Sequence, residues 1–168
     1  VSAGNNALTA NTTGSRNTAI GNDAMLVNTT ASSGVAVGDR ALDANTTGAQ
    51  NTAIGSESLS ANTTGGYNTA VGNQCLDANT TASNNTAVGY AALSGDTLGV
   101  YNVAVGVNAL LSQNFTSSTF SYNTAVGTDA GKLVTTGKEN TLIGGLAGDE
   151  LTDADGNVAI GVSALGGD

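Results

Sequence analysis

Apolar and polar positions recur in fixed phase along the whole chain. The sharpest column is glycine, at Gly4, Gly21, Gly38, Gly55, Gly72, Gly89, Gly106, Gly127, Gly144 and Gly161; successive members stand 17 residues apart, except for one interval of 21. The position before each Gly is Ala3, Ile20, Val37, Ile54, Val71, Val88, Val105, Val126, Ile143 or Ile160, almost purely β-branched. Two positions earlier come Thr18, Val35, Thr52, Thr69, Thr86, Val103, Thr124, Thr141 and Val158. Strand alternation puts these two columns on one face. The column between them is Ala, broken only by Leu142, and lies on the other face. Gly that recurs while its neighbours vary points to a backbone with positive φ, or to close approach of another segment at a corner.

A second apolar column follows four residues after the Gly: Leu8, Met25, Leu42, Leu59, Leu76, Leu93, Leu110 and Leu165. Small residues precede it, Ala in most repeats and Ser58 or Cys75 in two. Each unit then closes on a turn-forming stretch such as "ANTTG", as at 10–14, 44–48 and 61–65. One unit therefore reads as two short extended segments and two turns. Four residues between a Gly and a turn are too few for a useful helix.

Stacked coils satisfy this pattern, because each coil buries its neighbour's apolar columns. The expected fold is all-β, a parallel β-solenoid of about ten 17-residue coils forming a single domain over 1–168. Regular coils cover 1–111, an inserted loop covers 112–122, and further coils cover 123–168. At about 4.8 Å between strands, such a stack is a rod roughly 45 Å long. The leucine-rich repeat is excluded by its missing Leu clusters, and the calcium-binding nonapeptide roll by the absence of a Gly-Gly-x-Gly-x-Asp series.

Composition sharpens the picture. The 39% apolar content is mostly Ala and Val, aromatics are 4%, Trp is absent and Gly numbers 24, so a thick globular core is out of reach. Disorder is the competing reading, but apolar residues in strict phase have no purpose in a disordered chain. One coil encloses little, and the Ala face reads as an apolar stripe needing a partner, so side-by-side oligomerisation is expected. A net charge of −9 with four cations disfavours nucleic acid as a partner. No apolar run is long enough to insert in a membrane as a helix. Opening inside a repeat, at "VSAGNNAL", is expected of a segment of a longer chain.

The recurring "NTAIG", "GVAVG", "NTAVG" and "NVAIG", each followed by Ala-Leu or an equivalent, resemble the head repeats of YadA-like trimeric autotransporter adhesins. They resemble even more the "NTAxG…ALxxNTTG" arrays of trimeric tail-fibre and fibre-like adhesin proteins of phages and bacteria. The resemblance covers essentially the whole chain. It implies a left-handed roll assembled side by side as a homotrimer, with the work of a fibre shaft or adhesive head. It also implies an extracellular location, on a bacterial surface or in a phage virion, with neck, anchor and chaperone parts outside this segment. The unit here is longer than the usual autotransporter head repeat, so its loops should differ.

Function is expected where the repeat breaks. The long unit "NALLSQNFTSSTFSYNTAVG" brings Asn114, Phe115, Phe120 and Tyr122 together with Thr116, Ser117 and Ser118. Aromatic faces beside amides and hydroxyls suit a sugar ring, so these four residues are the candidate contacts for a cell-surface glycan or receptor. The competing expectation is that both Phe pack back on the rod or on a neighbouring chain. Tyr67, Tyr101 and Tyr122 share one column. The acidic run at 148–157, with Asp149, Asp153 and Asp155, lacks EF-hand spacing and reads as a solvated loop, not a metal site. Cys75 reads as a small buried residue of the Ala column. His is absent, and no nucleophile–base pair is marked, so no catalytic residue, enzyme activity or cofactor is expected. A polysaccharide-degrading fibre domain is one alternative. An ice-binding solenoid, with the Asn-Thr-Thr ladder as its face, is the other.

Overall fold

The computed structural model describes residues 1–166. It is all-β, and its main sheet has ten parallel strands, one per coil: Ser2–Ala3 (β1), Thr18–Ile20 (β2), Val35–Val37 (β3), Thr52–Ile54 (β4), Thr69–Val71 (β5), Thr86–Val88 (β6), Val103–Val105 (β8), Thr124–Val126 (β10), Thr141–Ile143 (β11) and Val158–Ile160 (β12). Neighbours pair in chain order and in register, Thr52 with Thr69 and Ala53 with Ala70, so ten rungs make about nine turns of solenoid. The inserted unit adds a two-stranded parallel sheet, Gly99–Val100 (β7) with Thr119–Phe120 (β9).

The Gly column has the two properties expected of it. Gly55 sits at φ +134°, and a Cβ there would collide with the carbonyl of Gly72 one coil on; the same holds up the stack from Gly4 to Gly144. The second segment of each unit is not extended, contrary to the expectation of two extended segments per unit. It is a run of turns with left-handed residues two and four places after the Gly, such as Glu57 (φ +56°) and Leu59 (φ +52°). Each such residue costs roughly 1–2 kcal/mol in isolation. Hydrogen bonds offset it by alternating direction along the rod: Glu57 N–H donates back to Asp39 O at 2.9 Å, and Leu59 N–H donates forward to Cys75 O at 3.0 Å.

The core is a correction of the expected faces. Ala19, Ala36, Ala53, Ala70, Ala87, Ala104 and Ala125 are fully buried inside their own coils, so the Ala column is not a stripe awaiting a partner. It packs against the stack of Met25, Leu42, Leu59, Leu76, Leu93 and Leu110, also fully buried. The branched columns face outward, with Ile20, Ile54, Val126 and Ile143 all exposed. Ala belongs inside because the coil is too narrow for two large side chains across it.

That width also explains Leu142, the one large residue in the Ala column. Above and below it, the Leu column reads Gly131 and Gly148, whose missing side chains leave the room that Leu142 Cδ1 and Cδ2 fill. One Leu from the opposite side of the core thus reaches into the room left by two absent ones.

Polar groups share the interior. Asn51, Asn68, Asn85, Asn102, Asn123 and Asn140, just before each strand, are buried. Asn51 Oδ1 accepts from Asn68 N–H at 2.9 Å, and Asn51 Nδ2 donates to Gly65 O at 2.7 Å; Asn68 repeats the pattern with Asn85 and Ala82 at 3.0 and 2.8 Å. Each Asn thus satisfies two backbone groups that the corner leaves without a strand partner.

Candidate functional site

The inserted unit rests on the coil that precedes it. There "GDTLGVYN", residues 95–102, replaces the usual "ANTTG" turn. Asp96, buried, accepts from Gln113 Nε2 at 2.6 Å and from Gly99 N–H at 3.0 Å. Gln113 Oε1 in turn accepts from Asn123 Nδ2 at 2.7 Å, and Asn123 N–H donates to Asn102 Oδ1 at 3.1 Å. This closed polar network ties the two ends of the extra residues to the regular ladder. Ser121 Oγ adds a bond to Val100 O at 3.0 Å, beside the pairing of β7 with β9.

Upon that base the candidate residues separate. Phe115 is buried, 5% exposed, and packs against Gly99 and the Asp96 carboxylate, so it is an anchor and not a surface contact. Phe120 is 65% exposed and Tyr122 53%, and Tyr101 from the coil before joins them at 42%. The three rings form one patch. Tyr101 and Tyr122 stack at 5.3 Å between centroids and 12° between planes, and Phe120 lies 5.8 Å from Tyr101 and 6.2 Å from Tyr122. Asn114 is exposed at the start of the loop, its Oδ1 accepting from Thr97 Oγ1 at 3.0 Å. Thr116, Ser117 and Ser118 are exposed on the same loop.

The Tyr column owes its place to the corner. Tyr67, Tyr101 and Tyr122 have φ of +61°, +65° and +49°, which turns the chain just before the buried Asn and throws the ring outward. Tyr101 was legible as a member of this column but not as a partner of Phe120; that follows only from β7 pairing with β9. Tyr67 is exposed two coils away and outside the cluster.

Other sequence features fall as follows. Cys75 is fully buried in the small-residue column that precedes the Leu column, and burial pushes its thiol up to about 12. Asn11, Asn28, Asn45, Asn62 and Asn79 form a ladder directed into the coil, and Asn28, Asn45, Asn62 and Asn79 are buried in it. The first Thr of each triplet donates its hydroxyl to a carbonyl one coil on, as Thr46 does to Thr63 O at 3.0 Å, which uses hydroxyls an ice-binding face would present. In the acidic run, Asp155 pairs with Lys138 at 3.6 Å, and among the described residues no three His, Cys, Asp or Glu side chains gather as a metal site. No pocket is found among the described residues, so a ligand of the aromatic patch would be held on an open surface. No helix among the described residues is long and apolar enough to cross a membrane.

Comparison with family models, with curated proteins and with solved structures yields no match.

Proposed function

We propose that this chain is a structural and adhesive segment of a homotrimeric surface or tail fibre, a stiff rod whose aromatic patch grips a cell-surface glycan. The observation that carries this reading is the exposed Tyr101–Phe120–Tyr122 cluster, raised on a closed polar base where the repeat gains its extra residues. Three large rings gathered into one exposed patch mark a surface that something covers in use. Large exposed rings on a loop that also exposes the Asn114 amide and the hydroxyls of Thr116, Ser117 and Ser118 suit the apolar face and equatorial hydroxyls of a hexose. The chain carries −9 net charge, and Arg40, Lys132 and Lys138 are engaged with carboxylates, so a neutral glycan fits better than an anionic one.

Trimerisation rests on the outward branched columns, not on the Ala column. Val and Ile from successive rungs line one outer strip of the rod, and side-by-side packing through that strip removes it from water.

The test has two arms. Light scattering should give three times the 16.3 kDa protomer mass. A glycan array probed with the labelled chain should show binding to neutral glycans that Phe120→Ala and Tyr122→Ala abolish without changing the mass. Loss of the trimer in Phe120→Ala, with no glycan bound by the parent chain, would reassign the patch to contact between chains.

A further inference from the structure

The Asn column seven residues after the Gly runs as a directional ladder. Each Nδ2 donates to the Oδ1 one coil earlier: Asn28 to Asn11 at 2.8 Å, Asn45 to Asn28 at 3.3 Å, Asn62 to Asn45 at 2.8 Å and Asn79 to Asn62 at 2.8 Å. The next rung is Asp96, which has no amide hydrogen to give. Asn79 Oδ1 is consequently buried without a hydrogen-bond partner.

The register identifies which Asp96 oxygen faces it. In the regular rungs, Oδ1 receives the Nδ2 of the coil above and sits over the Gly three residues on, as Asn45 does over Gly48 and Asn62 over Gly65. At Asp96 it is Oδ2 that receives Gln113 Nε2 from the coil above and sits over Gly99. By the same register Oδ1 corresponds to Nδ2, the atom that in the regular rungs donates to the coil below. Oδ1 accepts from Gly99 N–H at 3.0 Å and, at a long 3.4 Å, from Phe115 N–H.

We propose that Asp96 is stable in this fold as the neutral carboxylic acid, with its Oδ1–H donating to Asn79 Oδ1, so that a titratable proton serves as the missing rung beneath the inserted coil. In the neutral form every group is satisfied: Oδ1 donates to Asn79 and keeps a lone pair for Gly99 N–H, while Oδ2 accepts from Gln113 and, at 3.5 Å, from Asn102. In the ionised form two buried oxygens oppose each other, one of them charged, with no hydrogen between them.

Burial pushes the Asp96 carboxyl above its ordinary range, against the opposing pull of its bonds from Gln113, Gly99, Phe115 and Leu98. None of the groups around it is charged or titratable: Asn79 and Asn85 in the coil below, Gly99 and Asn102 in its own, and Gln113 and Phe115 above. A carboxyl whose folded value is raised contributes stability that is fully present below its unfolded value and is lost as pH rises through the folded value. The seat of Phe115, and with it the segment carrying Phe120, is thus firmest in acid.

The test compares the full chain with Asp96→Asn, whose amide supplies the missing N–H at every pH. The variant's Nδ2 cannot accept from Gly99 N–H as Asp96 Oδ1 does, a loss that is the same at every pH, so the expected result is a melting-temperature difference that moves in the variant's favour from mildly acidic to neutral pH. Near-ultraviolet tyrosine dichroism of the parent should weaken over the same pH interval, while that of the variant holds. A margin independent of pH would overturn the proposal. Should the variant fail to fold, a carbon-13 titration of the parent with the Asp96 carboxyl assigned decides: a raised Asp96 supports the proton, and an Asp96 in the ordinary range overturns it, whatever Asp77, also pushed up by burial, does.

Discussion

The coils over residues 38–88 and those over residues 89–148 share one backbone and fill it differently. In the first stretch Ala, Leu and Asn occupy their columns without exception beyond Ser58 and Cys75. In the second, Asp96 and Gln113 replace Asn, and Val134 then replaces it with an apolar side chain, fully buried at the same place. Gly131 and Gly148 replace Leu, and Leu142 replaces Ala. Left-handed corners persist through all of this, with Gly131 at φ +59° and Gly148 at φ +61° where Leu59 has +52°. The frame is held by the Gly column and the backbone bonds between coils. The filling is exchangeable within that frame.

Breaking the frame should therefore hurt far more than altering the filling. Gly55→Val places a branched side chain at positive φ against the carbonyl of Gly72; we expect destabilisation beyond about 4 kcal/mol, read by chemical denaturation, where few single changes reach. Next comes the split between the two Phe residues. Phe115→Ala should cost about 3–5 kcal/mol as a buried aromatic truncation. Phe120→Ala should stay within about 0.5 kcal/mol as a surface change, and equal effects would deny that one anchors and the other presents.

Leu142→Ala should cost about 2–5 kcal/mol. Adding Gly131→Leu and Gly148→Leu should recover most of it by restoring the regular filling, whereas additive losses would show that the exchange across the core is not a packing swap. The smallest effect is at Cys75. Cys75→Ala installs the residue most coils carry and should change stability by less than about 1 kcal/mol. The thiol, held at about 12, should resist alkylation at neutral pH until the chain unfolds.

Much of this frame was legible in the sequence. The 17-residue period pointed to the parallel register, Gly at one column pointed to positive φ or close approach, and Cys75 fell in a small-residue column. The inward face was not legible, because alternation separates two faces without saying which one turns in. Nor were the left-handed corners: nothing in the propensities of Leu or Met announces positive φ, which here is sustained by bonds to both neighbouring coils. The Leu142 exchange did leave a signal. The two gaps in the Leu column flank the single large residue of the Ala column, and both columns had to be read together to see it. At the site, Asn114 and the aromatic loop were located by the break in period. Phe115 and Phe120 could be told apart only once β7 and β9 were paired, which also brought Tyr101 in.

The uniform register has a kinetic consequence. Residues paired across the main sheet lie 17 apart in sequence, or 21 at the single break, in a chain of 168. That separation is about a tenth of the chain length, the range of helical proteins and well below that of sandwiches and barrels, whose distant pairings slow the search. Each new coil closes a loop of constant, short length onto a template already formed. Winding can begin at any intact pair of coils and advance in either direction, so refolding should be fast for a protein made of parallel strands, and its rate should change little when whole coils are added or removed.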